Sequence, residues 1–131
     1  MTAGRVLLVD DHAGFRATAR RLLESEGWTV VGEAADGVSA LASAARLRPD
    51  LVLLDIGLPD LDGFAVAERL AGAGTAGTPE AGAPDVVLIS SRDRAAYADR
   101  IASSAAVGYI AKDDLDGEAL RALLAAAGAS R

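Results

Sequence analysis

The sequence predicts one α/β domain in which a parallel β-sheet carries helices on both faces. Three observations support this fold class. Short apolar runs alternate with segments of helical periodicity, five such units fit within the 131 residues, and some runs, residues 51–54 most clearly, lack polar alternation. Continuously apolar runs of this length are typical of parallel strands covered on both sides. With 51% hydrophobic residues, the chain has enough apolar material for one sizeable core.

Five apolar runs of ordinary strand length are the predicted strands. In chain order they span residues 5–9, 29–34, 51–54, 85–89 and 107–111. Because successive parallel strands need a crossover connection, the segments between them are predicted to be helices that cross the sheet.

Apolar stripes at helical spacing mark three of these helices. The stripe of the first helix is Phe15, Ala19, Leu22 and Leu23, and that of the last is Leu120, Leu123, Leu124 and Ala127. For the second helix, the predicted stripe is Val38, Leu41 and Ala45. Asp36 is its predicted N-cap, and Pro49 marks where the helix has stopped before the third strand.

The remaining segments are less regular. Tyr97 and Ile101 form the predicted buried side of a fourth helix, whose polar residues are Arg92, Asp93, Arg94, Asp99 and Arg100. Residues 71–84 are almost all Ala, Gly, Thr and Pro, which predicts a long loop after the third helix. We expect residues 1–127 to form the domain and residues 128–131 to be its tail or the start of a linker.

The composition excludes several classes of function. The absence of Cys rules out disulfides and thiolate zinc sites, and it suits a reducing compartment, so we expect a cytoplasmic protein. No apolar run is long enough to suggest a membrane span or a signal peptide. A net charge of −6 opposes direct binding to nucleic acid, so any DNA contact would need another domain.

Polar residues follow four of the predicted strands at the point where each strand ends. They are Asp10 and Asp11 after the first strand, Asp55 after the third, Ser90 after the fourth and Lys112 after the fifth. The carboxyl ends of parallel strands share one edge of the sheet, where ligands bind. These side chains are therefore expected to converge.

Three converging carboxylates repel one another unless a cation neutralises them. With oxygen ligands available and no Cys, Mg²⁺ is the expected ion, and it leaves coordination positions for a phosphate oxygen. Lys112 and Ser90 would supply a positive charge and a hydroxyl donor to the other phosphoryl oxygens. Asp55 is then the candidate nucleophile, since carboxylates form aspartyl phosphates in other phosphoryl-transfer systems.

In this order and spacing, the motifs resemble the response-regulator receiver family over nearly the whole chain. The residues that carry the resemblance are Asp10-Asp11, residues 55–63, Ser90 and residues 108–112. The family implies a flavodoxin-like (CheY-like) fold, a doubly wound five-stranded parallel sheet of order 2-1-3-4-5 with five flanking helices. It also implies site roles: Asp11, Asp55 and the Gly57 carbonyl as metal ligands, Asp10 acting through water, Ser90 and Lys112 as phosphoryl contacts, and Ser90 and Tyr109 as switch residues.

Further details resemble the NarL/FixJ subfamily, whose receivers precede a LuxR-type helix-turn-helix domain. Asp11-His12, residues 30–34 and Lys112-Asp113, with no Pro after the Lys, carry this likeness. The resemblance implies a histidine kinase as partner, control of transcription through a domain outside this chain, and no turnover of an external substrate. It also implies a homodimer through the fourth helix, fifth strand and fifth helix.

Simpler interpretations exist for each candidate residue. Asp10 or Asp11 could cap the first helix, and Asp55 could cap the turn at Pro59. Ser90 could be an ordinary turn residue, and Lys112 a solvated cation near a helix start. His12, the single histidine, is predicted to be a surface or neighbouring group rather than a metal ligand.

Two other function classes are compatible with parts of the pattern. Hydrolases of the haloacid dehalogenase type also phosphorylate an Asp at a strand end, but they carry a second Asp where this chain has Gly57. A receiver-like module that binds partners without phosphorylation is favoured if Asp11, Asp55 or Lys112 is missing, and all three are present.

Overall fold

The centre of the fold is a sheet of strands that are buried on both faces, as their continuous apolar sequence requires. The computed structural model describes residues 4–72, 83–91 and 97–129, with no side-chain description for 127–129. The strands are β1 Gly4–Val9, β2 Trp28–Ala34, β3 Leu51–Asp55, β4 Asp85–Ser90 and β5 Gly108–Ala111. The helices are α1 Ala13–Ser25, α2 Gly37–Leu47, α3 Gly63–Leu70, α4 Ala98–Ala102 and α5 Gly117–Ala129, and Lys112–Asp114 forms a 3₁₀ turn after β5.

All neighbouring strands pair in parallel, in the order β2-β1-β3-β4-β5. The predicted fold class and strand order are therefore confirmed. Each predicted strand is present, with one of its ends shifted by a single residue. The added end residues are Gly4, Trp28, Asp55 and Ser90, while Val107 lies just outside β5. Gly4, Asp55 and Ser90 carry no hydrophobic signal in the sequence.

Alternate residues of the strands point to opposite faces of the sheet and belong to two separate hydrophobic cores. Leu51 and Leu53 face α1 and α5, where they pack with Leu23 and Leu120. Val52 and Leu54 point to the other face, which α2, α3 and α4 cover. The predicted stripes of α1 and α5 are oriented as expected, since Ala19, Leu23 and Leu120 are buried and Phe15, Leu123 and Leu124 pack against them. Leu22 is only partly buried, and the side chain of Ala127 lies outside the described residues.

The predicted stripe of α2 is wrong. Val38 is 63% exposed and Ala45 is exposed, whereas Ala40 and Ala44 face the sheet and Leu41 is partly buried. The true stripe is displaced by one residue, or about 100° around the helix. Alanine occurs on every side of α2, so hydrophobicity alone does not orient it.

The short helix α4 is attached to α3 by side-chain contacts. Ile101 is buried and Tyr97 partly buried, as predicted. The Arg100 guanidinium lies 4.2 Å from the centre of the Phe64 ring and pairs with Asp62. Predictions for Arg92, Asp93 and Arg94, and for most of the 71–84 loop, lie outside the described residues.

The last described helix, α5, continues to Ala129, two residues into the predicted tail. Across residues 4–72, 83–91 and 97–129, no helix combines the length and apolarity needed to cross a membrane.

The predicted N-cap of α2 is confirmed, because the Asp36 carboxylate accepts a 2.8 Å hydrogen bond from the Ser39 backbone N–H. Replacing Asp36 by Ala should lower the free energy of unfolding by about 1 kcal/mol, since one backbone donor loses its acceptor. Asp36→Asn, which keeps an acceptor, should retain most of that stability. Urea denaturation of both variants tests the cap, and equal losses would contradict it.

Candidate functional site

Strand register brings the candidate residues together. Val9 lies opposite Leu54 in the β1–β3 pair, so Asp10 and Asp55 follow at the same level of the sheet. Asp55 lies opposite Ile89 in the β3–β4 pair, and Ser90 follows Ile89. The predicted convergence at the carboxyl edge is therefore observed for the two carboxylates and the serine.

The Lys112 ammonium joins the two carboxylates at the centre of the site. Its Nζ atom lies 2.5 Å from Asp10 Oδ2 and 3.4 Å from Asp55 Oδ2. The contact to Asp10 Oδ2 is the shorter of the two, and that oxygen is fully buried. Nζ also lies 4.6 Å from the centre of the Phe15 ring. The alternative interpretation of Lys112 as a solvated cation is wrong.

Burial controls the protonation of these groups. Asp10 and Asp55 are only 1% and 5% exposed. Burial raises the pKa of Asp55, and the charge of Asp10 adds to this, while the Gly57 N–H and the Lys112 ammonium act in the opposite direction. For Lys112, burial disfavours the charged form, but the two carboxylates outweigh it and raise its pKa. The Lys112 ammonium is therefore kept charged between the Asp10 and Asp55 carboxylates.

Asp11 and His12 form the outer side of the cluster. His12 Nδ1 lies 3.0 Å from Asp11 Oδ1 and 3.1 Å from Asp10 Oδ1. His12 occupies the N-cap position of α1, which has no side-chain cap. Neither Asp10 nor Asp11 caps this helix, so that simpler interpretation is wrong for both.

The loop after β3 is open beside Asp55. The Gly57 N–H donates a 3.0 Å hydrogen bond to Asp55 Oδ1. A side chain at position 57 would meet only that same oxygen, at 3.9 Å from its Cβ. The nearest helix, α3, is capped by Asp62 instead of Asp55. Asp55 therefore takes part in a local turn bond but keeps Oδ2 for the site.

Ser90 and Tyr109 lie on β4 and β5, next to the cluster. Ser90 is 5% exposed and lies opposite Ala111, while Tyr109 lies opposite Leu88. The Tyr109 ring is 6% exposed and belongs to the core on the α3 and α4 side. The structure therefore has this ring in an inward position.

Arg16 is a site neighbour that the sequence analysis missed. Its guanidinium donates to the backbone carbonyl of Asp10 and, at 3.0 Å, to Glu33. Arg20 donates to the other oxygen of Glu33 at 2.8 Å. The sequence shows that Arg16 lies close to the acidic pair along the chain. Its hydrogen bond to Glu33 forms only because β2 lies next to β1 in the sheet.

The cluster fits a divalent cation. Asp10, Asp11, His12 and Asp55 each offer one ligand atom, and these four atoms lie within 4.8 Å of one another. Three carboxylates and one ammonium leave a net charge of −2 when His12 is neutral, which a divalent ion would balance. Carboxylate oxygens are the ligands that Mg²⁺ prefers, so the predicted ion suits the donor set.

Comparison with known proteins agrees with the site. A family model described as the response regulator receiver domain matches residues 6–125. The chain is 38% identical over 108 residues to a Pseudomonas aeruginosa protein named as a transcriptional regulator, aligning 82% of this chain with 49% of that protein. It is 36% identical over 110 residues to the transcription regulator BvgA of Bordetella pertussis, covering 84% of this chain and 49% of BvgA. The chain thus spans about half the length of these relatives.

Solved structures show the same similarity in three dimensions. The signal receiver domain of the response regulator NarL from Mycobacterium tuberculosis matches with a TM-score of 0.78 at 34% identity, covering 98% of both chains. The similarity therefore extends over nearly the whole length of both chains.

Proposed function

Because the chain belongs to the response regulator receiver domain family, we propose that it accepts a phosphoryl group on Asp55 from a histidine kinase in a Mg²⁺-dependent reaction. The observation that carries the proposal is the Lys112 ammonium held between the buried Asp10 and Asp55 carboxylates. Burying these charges costs desolvation energy and contributes little to stability. The buried Lys112 ammonium is instead suited to binding an additional anion, here the phosphoryl group.

The metal site in this proposal consists of Asp11, Asp55 and the Gly57 carbonyl as direct ligands, with Asp10 acting through water. The acidic cluster and the open space beside Gly57 support this assignment. Bound Mg²⁺ would neutralise charge on the transferring group and orient it.

The residues of the chain then carry out the transfer. A carboxylate oxygen of Asp55 attacks the phosphorus of the phosphohistidine, the P–N bond breaks, and its electron pair returns to the imidazole, which takes up a proton. Lys112 and Ser90 contact phosphoryl oxygens and stabilise their charge. Because Asp55 attacks as a carboxylate, which has no proton to lose, no general base is needed.

In this proposal, the regulatory response to phosphorylation is carried out by a domain outside residues 1–131. We propose that the domain turns over no external substrate and, with a net charge of −6, does not itself bind nucleic acid. Since the relatives named as transcription regulators are about twice as long, a DNA-binding domain outside residues 1–131 would carry the response. The surface of α4, β5 and α5 is the proposed homodimer contact.

Intact mass spectrometry tests the phosphoacceptor. Incubation with acetyl phosphate and Mg²⁺ should add one phosphoryl group, labile to hydroxylamine, and chelation of Mg²⁺ should prevent it. Unmodified protein under conditions that label a known receiver would contradict the proposal and favour a phosphorylation-independent interaction module.

The proposed switch gives a separate prediction for Tyr109. Phosphorylation should stabilise its inward position through Ser90, because both residues lie on strands that end beside Asp55. In 3-fluorotyrosine-labelled protein, the ¹⁹F resonance of Tyr109 should narrow and lose solvent sensitivity when Mg²⁺ and beryllofluoride bind. Tyr97→Phe assigns the signal, since the chain has two tyrosines. An unchanged resonance with the mimic bound would contradict the switch.

A further inference from the structure

We propose that His12 is a direct ligand of the bound cation and shifts the preference of the site from Mg²⁺ towards first-row transition ions such as Mn²⁺ and Ni²⁺. This inference rests on the metal site of the proposed function. It adds a nitrogen ligand to a set otherwise made of oxygens, and it changes which ion the site selects.

His12 Nδ1 is hydrogen-bonded to Asp10 Oδ1, and the distances around it also match the edges of an octahedron, so an ion can replace the Nδ1 proton. Ligands at about 2.1 Å from an octahedral ion are separated by about 3.0 Å when adjacent and about 4.2 Å when opposite. His12 Nδ1 lies 3.0 Å from Asp11 Oδ1 and 3.1 Å from Asp10 Oδ1. The ligand atoms of all four residues, Asp55 included, lie within 4.8 Å. One ion could therefore contact Nδ1 together with oxygens of Asp11 and Asp55 after small adjustments, with Asp10 still acting through water as in the proposed function.

A hydrogen bond fixes the backbone from which the imidazole projects. The His12 backbone N–H donates a 2.7 Å hydrogen bond to Asp10 Oδ1, which fixes the turn between β1 and α1. The side chain is 69% exposed, so a ligand role would cost it little further desolvation. Asp10 Oδ2 is already paired with Lys112, which leaves Oδ1 on the side of His12 and Asp11. The nitrogen thus lies on the solvent-facing side of the cluster.

Ligand chemistry determines the preference. Mg²⁺ is bound almost entirely by oxygen, whereas imidazole suits Mn²⁺ weakly and Ni²⁺, Cu²⁺ and Zn²⁺ increasingly well. The chain has one histidine and no cysteine, so His12 is the only imidazole or thiol that it offers a metal ion. A nitrogen signal from a bound ion is therefore unambiguous if the protein carries no histidine tag.

Electron spin echo envelope modulation of bound Mn²⁺ detects such a nitrogen directly. Tag-free protein should show coupling to one nitrogen, and incorporation of ¹⁵N-histidine should change that coupling to the ¹⁵N pattern. Absence of nitrogen coupling from stoichiometrically bound Mn²⁺ would overturn the assignment of His12 as a ligand.

Calorimetry of His12→Ala tests the effect on selectivity. Ni²⁺ affinity should fall by about tenfold or more, because losing even an outer partner of a metal ligand typically costs about 10- to 100-fold. Mg²⁺ affinity should change little. Thr18→Ala, an exposed substitution on the same helix, is the control and should alter neither. Equal losses for Ni²⁺ and Mg²⁺, or no loss for Ni²⁺, would overturn the proposal.

The same measurements separate this inference from the proposed function. If the wild-type protein binds Mg²⁺ and takes up a phosphoryl group but shows no nitrogen coupling, only the role of His12 fails. If it binds neither ion and is not phosphorylated, the phosphoacceptor assignment fails, and the inference with it.

Discussion

An Asp55→Asn variant is expected to take up no phosphoryl group and, without Mg²⁺, to be more stable than the wild-type protein. The first result follows because an amide is not a nucleophile for phosphorus under these conditions. The second follows because Asp55 is a buried carboxylate close to the charge of Asp10. A neutral side chain of the same shape removes that cost while keeping an acceptor for the Gly57 N–H.

The raised pKa of Asp55 also fixes the sign of the pH dependence. The folded state holds the proton of this group more tightly than the unfolded state, whose carboxyl titrates near 3.8. Stability from this group therefore falls as pH rises from the unfolded pKa to the folded pKa, and it stays lowered at neutral pH. The excess stability of Asp55→Asn should appear across that interval and persist above it.

Magnesium should reverse the order of stability. An ion that binds only the folded state at 100 times its Kd adds about 2.7 kcal/mol to stability, and the wild-type protein retains the full ligand set. Urea denaturation with and without Mg²⁺, together with intact mass after acetyl phosphate treatment, measures both effects. Asp113→Asn removes an exposed charge next to Lys112 and is the control. Phosphorylated Asp55→Asn, or a variant less stable without Mg²⁺, would contradict the respective expectation.

The fold could be predicted from the sequence because short, continuously apolar runs between helical segments are typical of buried parallel strands. Residues 51–54 and 86–89 are continuously apolar, and both lie in buried parallel strands. The position of Asp55 and Ser90 at strand ends followed from the same runs. Parallel strands must end at one edge, so a linear pattern was enough to predict a three-dimensional cluster.

Other features depend on contacts that no local pattern encodes. The orientation of α2 is decided by which of its alanines fits the sheet, and the bulkier Val38 points to solvent. The bond from Arg16 to the Asp10 carbonyl depends on Glu33, which is held on β2. The position of His12 between Asp10 and Asp11 depends on the exact turn between β1 and α1.

A Gly63→Ala substitution is expected to destabilise the protein by about 3 kcal/mol, at the upper end of the range for overpacking. Gly63 begins α3 and donates to the Ile56 carbonyl. A Cβ atom there would lie 2.6 Å from Ile56 Cα and 2.8 Å from the Asp55 carbonyl oxygen. Both are backbone atoms, so relief requires the end of β3 to move.

That movement would displace the site, so Gly63→Ala should also weaken Mg²⁺ binding and slow phosphorylation of the folded fraction. Gly14→Ala is the matched control, since a Cβ at position 14 of α1 meets nothing within 4 Å. It should be neutral or up to about 1 kcal/mol more stable. Urea denaturation and Mg²⁺ titration of both variants measure these effects. If Gly63→Ala folded with wild-type stability and bound Mg²⁺ normally, the close packing of α3 against the end of β3 would not be what positions Asp55.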